Sequence, residues 1–273
     1  MEVGTPMVAK QPRGPRLWDI AVSQDGKLIV TVSSTGQVTV WNVETRLAVN
    51  DFKGSPGIIN VVDISLDATK IATGSQDGIA SVWSLSTGER LLGPFKHDNS
   101  LAAVKFSPNA YLIATVTQEC NSVRIYDNQD GHLLSNFPIH TSSNFNDSIA
   151  WKLDSKQLFV LSSDGDIYCF DVSTGQRYSK WAIHSDHLPR CLSLASNGAF
   201  IAASAYSSIS FWDTATCKQI GPVIRYPHDV WFMSISTNYD IAIGVDKKIY
   251  LRDLCDILPP PYSDNVSMLP SEV

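Results

Sequence analysis

The chain repeats, and nothing else in it limits the possible folds so severely. Strand-like segments end in VTVWN at Trp41, ASVWS at Trp83, VRIYD at Tyr126, IYCFD at Phe170, ISFWD at Trp212 and IYLRD at Arg252. The steps between them are 42, 43, 44, 42 and 40 residues. A second anchor is the apolar run before a Ser-x-Asp-like turn. It sets Val22, Ile64, Phe106, Trp151, Leu194 and Ile235 in phase, at steps of 42, 42, 45, 43 and 41. Two unrelated anchors with one period define a repeated structural unit.

Between the anchors lie LIVTVSS, KIATGSQ, LIATVTQ, LFVLSSD, FIAASAY and DIAIGVD. Runs rich in β-branched residues and bounded by turn residues read as strands. Asp77-Gly78 is a tight-turn pair, and Ser86-Thr87-Gly88 turns the chain again. No segment holds a helical period, so each repeat predicts about four short strands. A four-stranded sheet of this size cannot bury both of its faces alone. Neighbouring sheets must stack on it, and radial stacking hides both faces while leaving only short edges.

Composition narrows the function. The 273 residues carry a formal charge of −6, which argues against a general nucleic-acid binder, since phosphate contacts need a basic face. No apolar run approaches the roughly 18 residues of a membrane span, and MEVGTPMVAKQPRGP lacks the apolar centre of a secretory signal. The five cysteines, Cys120, Cys169, Cys191, Cys217 and Cys255, form no Cys-x-x-Cys pair. Neither zinc nor a disulfide framework is expected, and a reduced compartment inside the cell, cytoplasmic or nuclear, is. The sequons at Asn146 and Asn265 are chance matches if no signal peptide precedes them.

The segments VWS…TG, FWD, FDVSTG and VKFSP, together with the His that recurs in phase before later repeats, resemble WD40-repeat β-propellers over residues 16–257. The resemblance implies an all-β propeller of four-stranded blades. Six repeats are visible, giving six blades or an incomplete seven. It also implies a buried chain linking a loop His, a second-strand Ser or Thr, a turn Asp and the Trp of each blade. Such a chain ties three strands and a loop together only if every buried polar group is satisfied. Here it survives in pieces: Ser75, Asp77 and Trp83; His97 and Thr115 with Tyr126; His140, Ser162 and Asp164 with Phe170; His184 or His187, Ser204 and Trp212; His228 and Asp246 with Arg252. Blades held mainly by apolar packing are therefore expected.

Gly93-Pro94, Pro138 and Gly221-Pro222 fall in the fourth strands, where proline is tolerated and blunts an outer edge. Gly-Pro at this place also resembles WD40 arrays attached to large signalling ATPases. The last repeat runs into LCDILPPPYSDNVSMLPSEV, with no convincing fourth strand. Residues 1–15 are read as a tail whose PMVAK around Val8 is a candidate closing strand, 16–257 as the propeller, and 258–273 as a proline-rich tail.

No residue stands out as catalytic. His97, His140, His184 and His228 follow one another at 43, 44 and 44 residues, the repeat period, so the fold explains them. Phosphate-loop, nucleophile-elbow and His-Glu-x-x-His motifs do not occur. No metal or other cofactor is expected. What remains is surface. Four residues before each first-strand core position stand Trp18, Asn60, Ala102, Asp147, Arg190 and Trp231, with Arg16 and Phe145 two positions earlier in their repeats. Tryptophan and arginine are what binding hot spots favour. Trp18 and Trp231 have a competing explanation as packing residues where the last and first blades would meet. The expectation is a non-catalytic scaffold that presents Arg16, Trp18, Phe145, Asp147, Arg190 and Trp231 to a protein partner, as part of a larger complex, without nucleic acid or membrane. The alternative is a propeller-fold, metal-dependent hydrolase using channel-facing carboxylates.

Overall fold

A computed structural model describes residues 15–118, 122–139, 149–162, 165–182, 189–195, 198–236, 240–246 and 248–262. The chain divides into two compact units, Met1–His140 and Thr141–Val273, each taken by itself below.

The first unit holds three four-stranded sheets. The first is β1 (Leu17–Val22), β2 (Leu28–Ser33), β3 (Gln37–Asn42) and β4 (Ala48–Lys53). Next come β5 (Ile59–Ile64), β6 (Lys70–Ser75), β7 (Ile79–Ser84) and β8 (Arg90–Lys96), then β9 (Leu101–Phe106), β10 (Leu112–Thr117), β11 (Val123–Asp127) and β12 (Leu133–Phe137). The second unit continues with β13 (Ile149–Trp151), β14 (Gln157–Leu161), β15 (Asp166–Asp171) and β16 (Gln176–Ala182). Its second sheet is β17 (Pro189–Leu194), β18 (Phe200–Ala205), β19 (Ser208–Asp213) and β20 (Gln219–Arg225). Its last sheet has three strands, β21 (Val230–Ile235), β22 (Asp240–Val245) and β23 (Lys248–Asp253). All pairings are antiparallel between consecutive strands, as hairpin-length turns dictate.

Side chains in the turns set those hairpins. The Ser23, Ser65 and Ser107 hydroxyls each donate to Asp25, Asp67 or Asn109 at 2.6 Å. The same hydroxyls accept the N–H of Leu28, Lys70 and Leu112 at 2.9 Å, closing the first hairpin of each sheet. One residue of that turn has positive φ in five repeats: Gly26, Ala68, Ala110, Ser155 and Gly198. The turn after the third strand is closed by Asn42, Asp127, Asp171 and Asp213, whose side-chain oxygens accept N–H groups two or three residues on.

Sheet faces bury one another in sequence order. In the first unit Val30, Val32, Val38 and Val40 of the first sheet meet Ile59, Val62, Ile71 and Trp83 of the second. Ala72, Ala80 and Val82 then meet Val104, Ile113 and Tyr126 of the third. In the second unit Phe159, Leu161 and Ile167 meet Leu192, Ile201 and Trp212, and Ala202, Ile209 and Phe211 meet Ile241, Ile243 and Val245. Full burial of such a side chain contributes about 1.5–3 kcal/mol as an upper figure. The architecture is all-β, with propeller blades of four strands.

Among the described residues the sixth blade has three strands, and its chain leaves the sheet for a covalent reason. Asp253 closes the usual turn by accepting the Cys255 N–H at 2.8 Å, but the chain then enters a short 3-10 turn, Leu254–Asp256. Pro259, Pro260 and Pro261 follow, three residues with no N–H to give a ladder. Leu254 and Leu258 bury themselves against the Phe200–Phe211 cluster instead. Tyr262 stands edge-on to Phe200 at 6.2 Å and donates its hydroxyl to Asp213. That carboxylate raises the Tyr262 pKa to about 12.

Candidate interaction surface

In each blade whose first strand is described in full, the register slips by one residue near the start of that strand. Leu17 faces Ser33 and Asp19 faces Val32, which leaves Trp18 as the extra residue. By the same count the extra residue is Asn60, Ala102, Arg190 and Trp231 in the other blades. These are the positions singled out by spacing in the sequence. Asp147 and Phe145 lie outside the described residues, and of Arg190 only the backbone is described. A bulge re-aims its side chain and interrupts the ladder, a local geometry that recurs beside binding sites.

The occupants of these bulges differ. Trp18 and Trp231 are each 48% exposed, whereas Trp83, Trp151 and Trp212 inside the blades are buried. Arg16 is exposed, and its backbone pairs with Ser34, accepting at 2.8 Å and donating to the hydroxyl at 3.2 Å. Asn60 ties two blades together, donating to the Ser100 hydroxyl at 2.7 Å and the Leu101 carbonyl at 3.2 Å. Ala102 is buried.

First strands also carry side chains that sequence spacing did not reveal. The Asp19 carboxylate accepts the Val62 N–H at 2.9 Å, and Asp63 accepts the Phe106 N–H at 2.8 Å while pairing with the Lys105 ammonium at 2.8 Å. In the second unit the Ser193 hydroxyl accepts the Ile235 N–H at 3.2 Å. Each bond reaches one blade forward. Burial raises the Asp19 pKa, and the Asp63 charge raises that of Lys105. These carboxylates hold strands together, and among the described residues no three His, Cys, Asp or Glu side chains converge as a metal site needs. A cleft of about 300 Å³ between turns of the second and third blades is lined by Asp67, Lys70, Asn109 and Asn128. Lys70 already donates there to the Asn128 carbonyl at 2.8 Å.

The structure corrects parts of the expected polar chain. Trp83 donates its indole N–H to Thr73 at 2.9 Å, not to Ser75. Ser75 instead serves the turn, bonding Asp77 and the Ile79 carbonyl. Trp41 uses Thr31 in the same way, at 2.9 Å. In the third blade one His97 ring nitrogen lies 2.9 Å from the Thr115 hydroxyl, the other 3.1 Å from the Phe95 carbonyl, with the Tyr126 hydroxyl at 3.5 Å. Burial, helped by the Arg124 charge, lowers the His97 pKa to about 4, so the ring is neutral. Trp212 bonds Ser210 on its own strand at 2.8 Å, while Ser204 serves the Cys191 N–H at 3.1 Å. Ser162 is buried just after β14. His228 and Asp246 are exposed, as is Arg252, so the sixth blade builds no buried chain from them. His140, Asp164, His184 and His187 lie outside the described residues.

The family model described as WD domain, G-beta repeat matches residues 9–42 and 47–84, the first two blades. The remaining blades repeat their register: the residue facing Trp41 or Trp83 is Ile29 or Ile71, and Ile113, Leu158, Ile201 and Ile241 face the same place later. The WD40 repeat is thus shown in the first two blades of this chain. Its WD40 relatives include the Cross-pathway control WD-repeat protein 2 of Flammulina velutipes, 28% identical over 154 residues, 54% of this chain and 48% of that protein. The Small ribosomal subunit protein RACK1 of Caenorhabditis elegans is 29% identical over 155 residues, 54% of this chain and 46% of that one. RACK1z of Oryza sativa subsp. japonica is 29% identical over 128 residues, 45% and 37% of the two chains. The WD40 chain spans about half the length, or less, of these curated relatives. Among the described residues no helix is long and apolar enough to cross a membrane.

Proposed function

We propose that this WD40 chain is a non-catalytic interaction scaffold that engages a protein partner through the bulge positions of its first strands. The observation that carries the reading is the exposure of Trp18 and Trp231 at the extra residue of a bulge, in blades whose other tryptophans are buried or partly covered. A large aromatic held at a fixed place and left wet binds a partner with little loss of conformational freedom. Arg190 occupies the same position in the fifth blade, and Arg16 precedes Trp18.

The relatives support a partner of protein kind within a larger complex, because several are named as components of the small ribosomal subunit. The acidic balance of this chain weighs against its own direct contact with phosphates. The setting that fits is inside the cell, cytoplasmic or nuclear. The test is a Trp231→Ala, Arg190→Ala double variant compared with the parent by affinity capture and quantitative mass spectrometry. A specific subset of partners should be lost. An unchanged set, from a variant with unaltered thermal unfolding, overturns the assignment of the surface.

A further inference from the structure

The last blade ends at β23, and among the described residues β23 pairs only with β22. Five other blades have a fourth strand there. In every one of those five, the pairing of third and fourth strands contains a register slip. Two of the fourth strands also carry a proline, Pro94 and Pro222. Slips and prolines spoil an outer edge for further pairing. β23 has neither, and its register against β22 is unbroken from Lys248 to Asp253.

Its side chains divide by face. Ile249 and Leu251 are 78% and 67% exposed on one face, while their counterparts in the first blade, Val38 and Val40, are fully buried. Lys248, Tyr250 and Arg252 share the other face, with the lysine and the arginine exposed. Arg252 stands beside the Tyr226 hydroxyl, opposing the rise that burial gives that group's pKa.

We propose that the edge of β23 takes up an extended segment of a partner protein as a fourth strand, and that the segment has acidic residues flanking two apolar ones. In an antiparallel pair, residues directly opposite share a face. A strand laid along β23 therefore sets its successive residues against Arg252, Leu251, Tyr250, Ile249 and Lys248. The complementary order is acidic, apolar, any, apolar, acidic. A second copy of this chain fits poorly, because self-pairing centred on Tyr250 sets Lys248 against the copy's Arg252. This site is separate from the bulge surface, and either can fail without the other.

The experiment uses the full chain and a fluorescein-labelled peptide, Gly-Ser-Glu-Val-Thr-Val-Glu-Ser-Gly, with a twin in which lysines replace both glutamates. Fluorescence anisotropy should show the glutamate peptide binding about tenfold more tightly than its twin, as two cross-strand charge pairs change sign. The order should reverse in a Lys248→Glu, Arg252→Glu variant, and Lys248→Gln alone should narrow the gap. Amide exchange over 248–253 should slow when the glutamate peptide is bound. Equal binding of the twins, or an order that charge reversal leaves alone, overturns the proposal. So does self-association that Leu251→Lys abolishes, which gives the edge to a second copy. Binding that appears only after residues 1–14 are removed also overturns it, since the chain itself then holds the edge.

Discussion

The first three blades and the last three solve one packing problem with different chemistry. The fourth residue of the second strand is Thr31, Thr73 and Thr115 in the first unit, and each hydroxyl takes a buried ring donor or nitrogen. The same register position holds Val160, Ala203 and Ile243 in the second unit. There the aromatic place is filled by Phe170, which has no N–H, by Trp212, which turns to its own strand, and by Arg252, which faces solvent. Where the hydroxyl is gone, so is the demand for it. A blade tolerates either a matched polar pair or none, and half of one costs a buried unsatisfied group.

The largest way to separate the halves is pH. His97 has a folded pKa of about 4 against 6.5 in the unfolded chain, so below 6.5 the unfolded state binds the extra proton. The stability contributed by the neutral ring is complete above pH 6.5 and is lost as pH falls toward 4, by roughly 3 kcal/mol. Hydrogen exchange at pH 7 and pH 4.5 should show the second and third blades opening more easily in acid, with the change much smaller in a His97→Gln variant.

Next in size is the hydroxyl itself. Thr73→Val keeps the shape but strands the Trp83 N–H, and should cost about 1–3 kcal/mol in urea unfolding. The mirror change, Val160→Thr, adds a hydroxyl opposite the strand of Phe170 with no ring donor to meet it, and should also destabilise rather than repair. A stabilising Val160→Thr would refute the matched-pair rule. The smallest effect is in the turns. Ala68 and Ala110 stand at φ of 52° and 60°, where the first and fifth blades have Gly26 and Gly198. Replacing either alanine with glycine should raise the unfolding free energy, by up to about 1 kcal/mol, because the strain relieved exceeds the entropy glycine adds.

Much of this was readable from residues alone. The period set the strands, and the −4 spacing found Trp18, Asn60, Ala102, Arg190 and Trp231, since a bulge at a fixed place in a repeat leaves a fixed offset. Pro259–Pro261 mark where the chain leaves the last sheet, because proline's lack of a donor is covalent. Ser75 masks Thr73 by standing nearer to Asp77, although Thr31, Thr73 and Thr115 repeat at 42 residues in LIVTVSS, KIATGSQ and LIATVTQ. That period was the available signal. The forward bonds of Asp19, Asp63 and Ser193 span 43, 43 and 42 residues, yet Asp19 stands three residues before its anchor Val22 and Asp63 and Ser193 one before theirs, so no single repeat position marked them. His228 keeps the period yet is exposed, and the positions that hold Thr115 and Tyr126 in the third blade hold Ile243 and Arg252 in the sixth.

Those forward bonds give the array a direction. Within the first unit, Asp19 serves the second blade and Asp63 the third by accepting a backbone N–H one blade ahead, whereas the bond that runs back, from Arg124 to the Lys96 carbonyl at 2.8 Å, takes up a C=O instead. Harm is therefore inherited downstream: a lesion at Asp19 reaches Val62, while one at Phe106 leaves its predecessors' backbones fully matched. For a chain made on the ribosome from its N-terminus, the first and second blades each offer the next a ready acceptor before that blade exists.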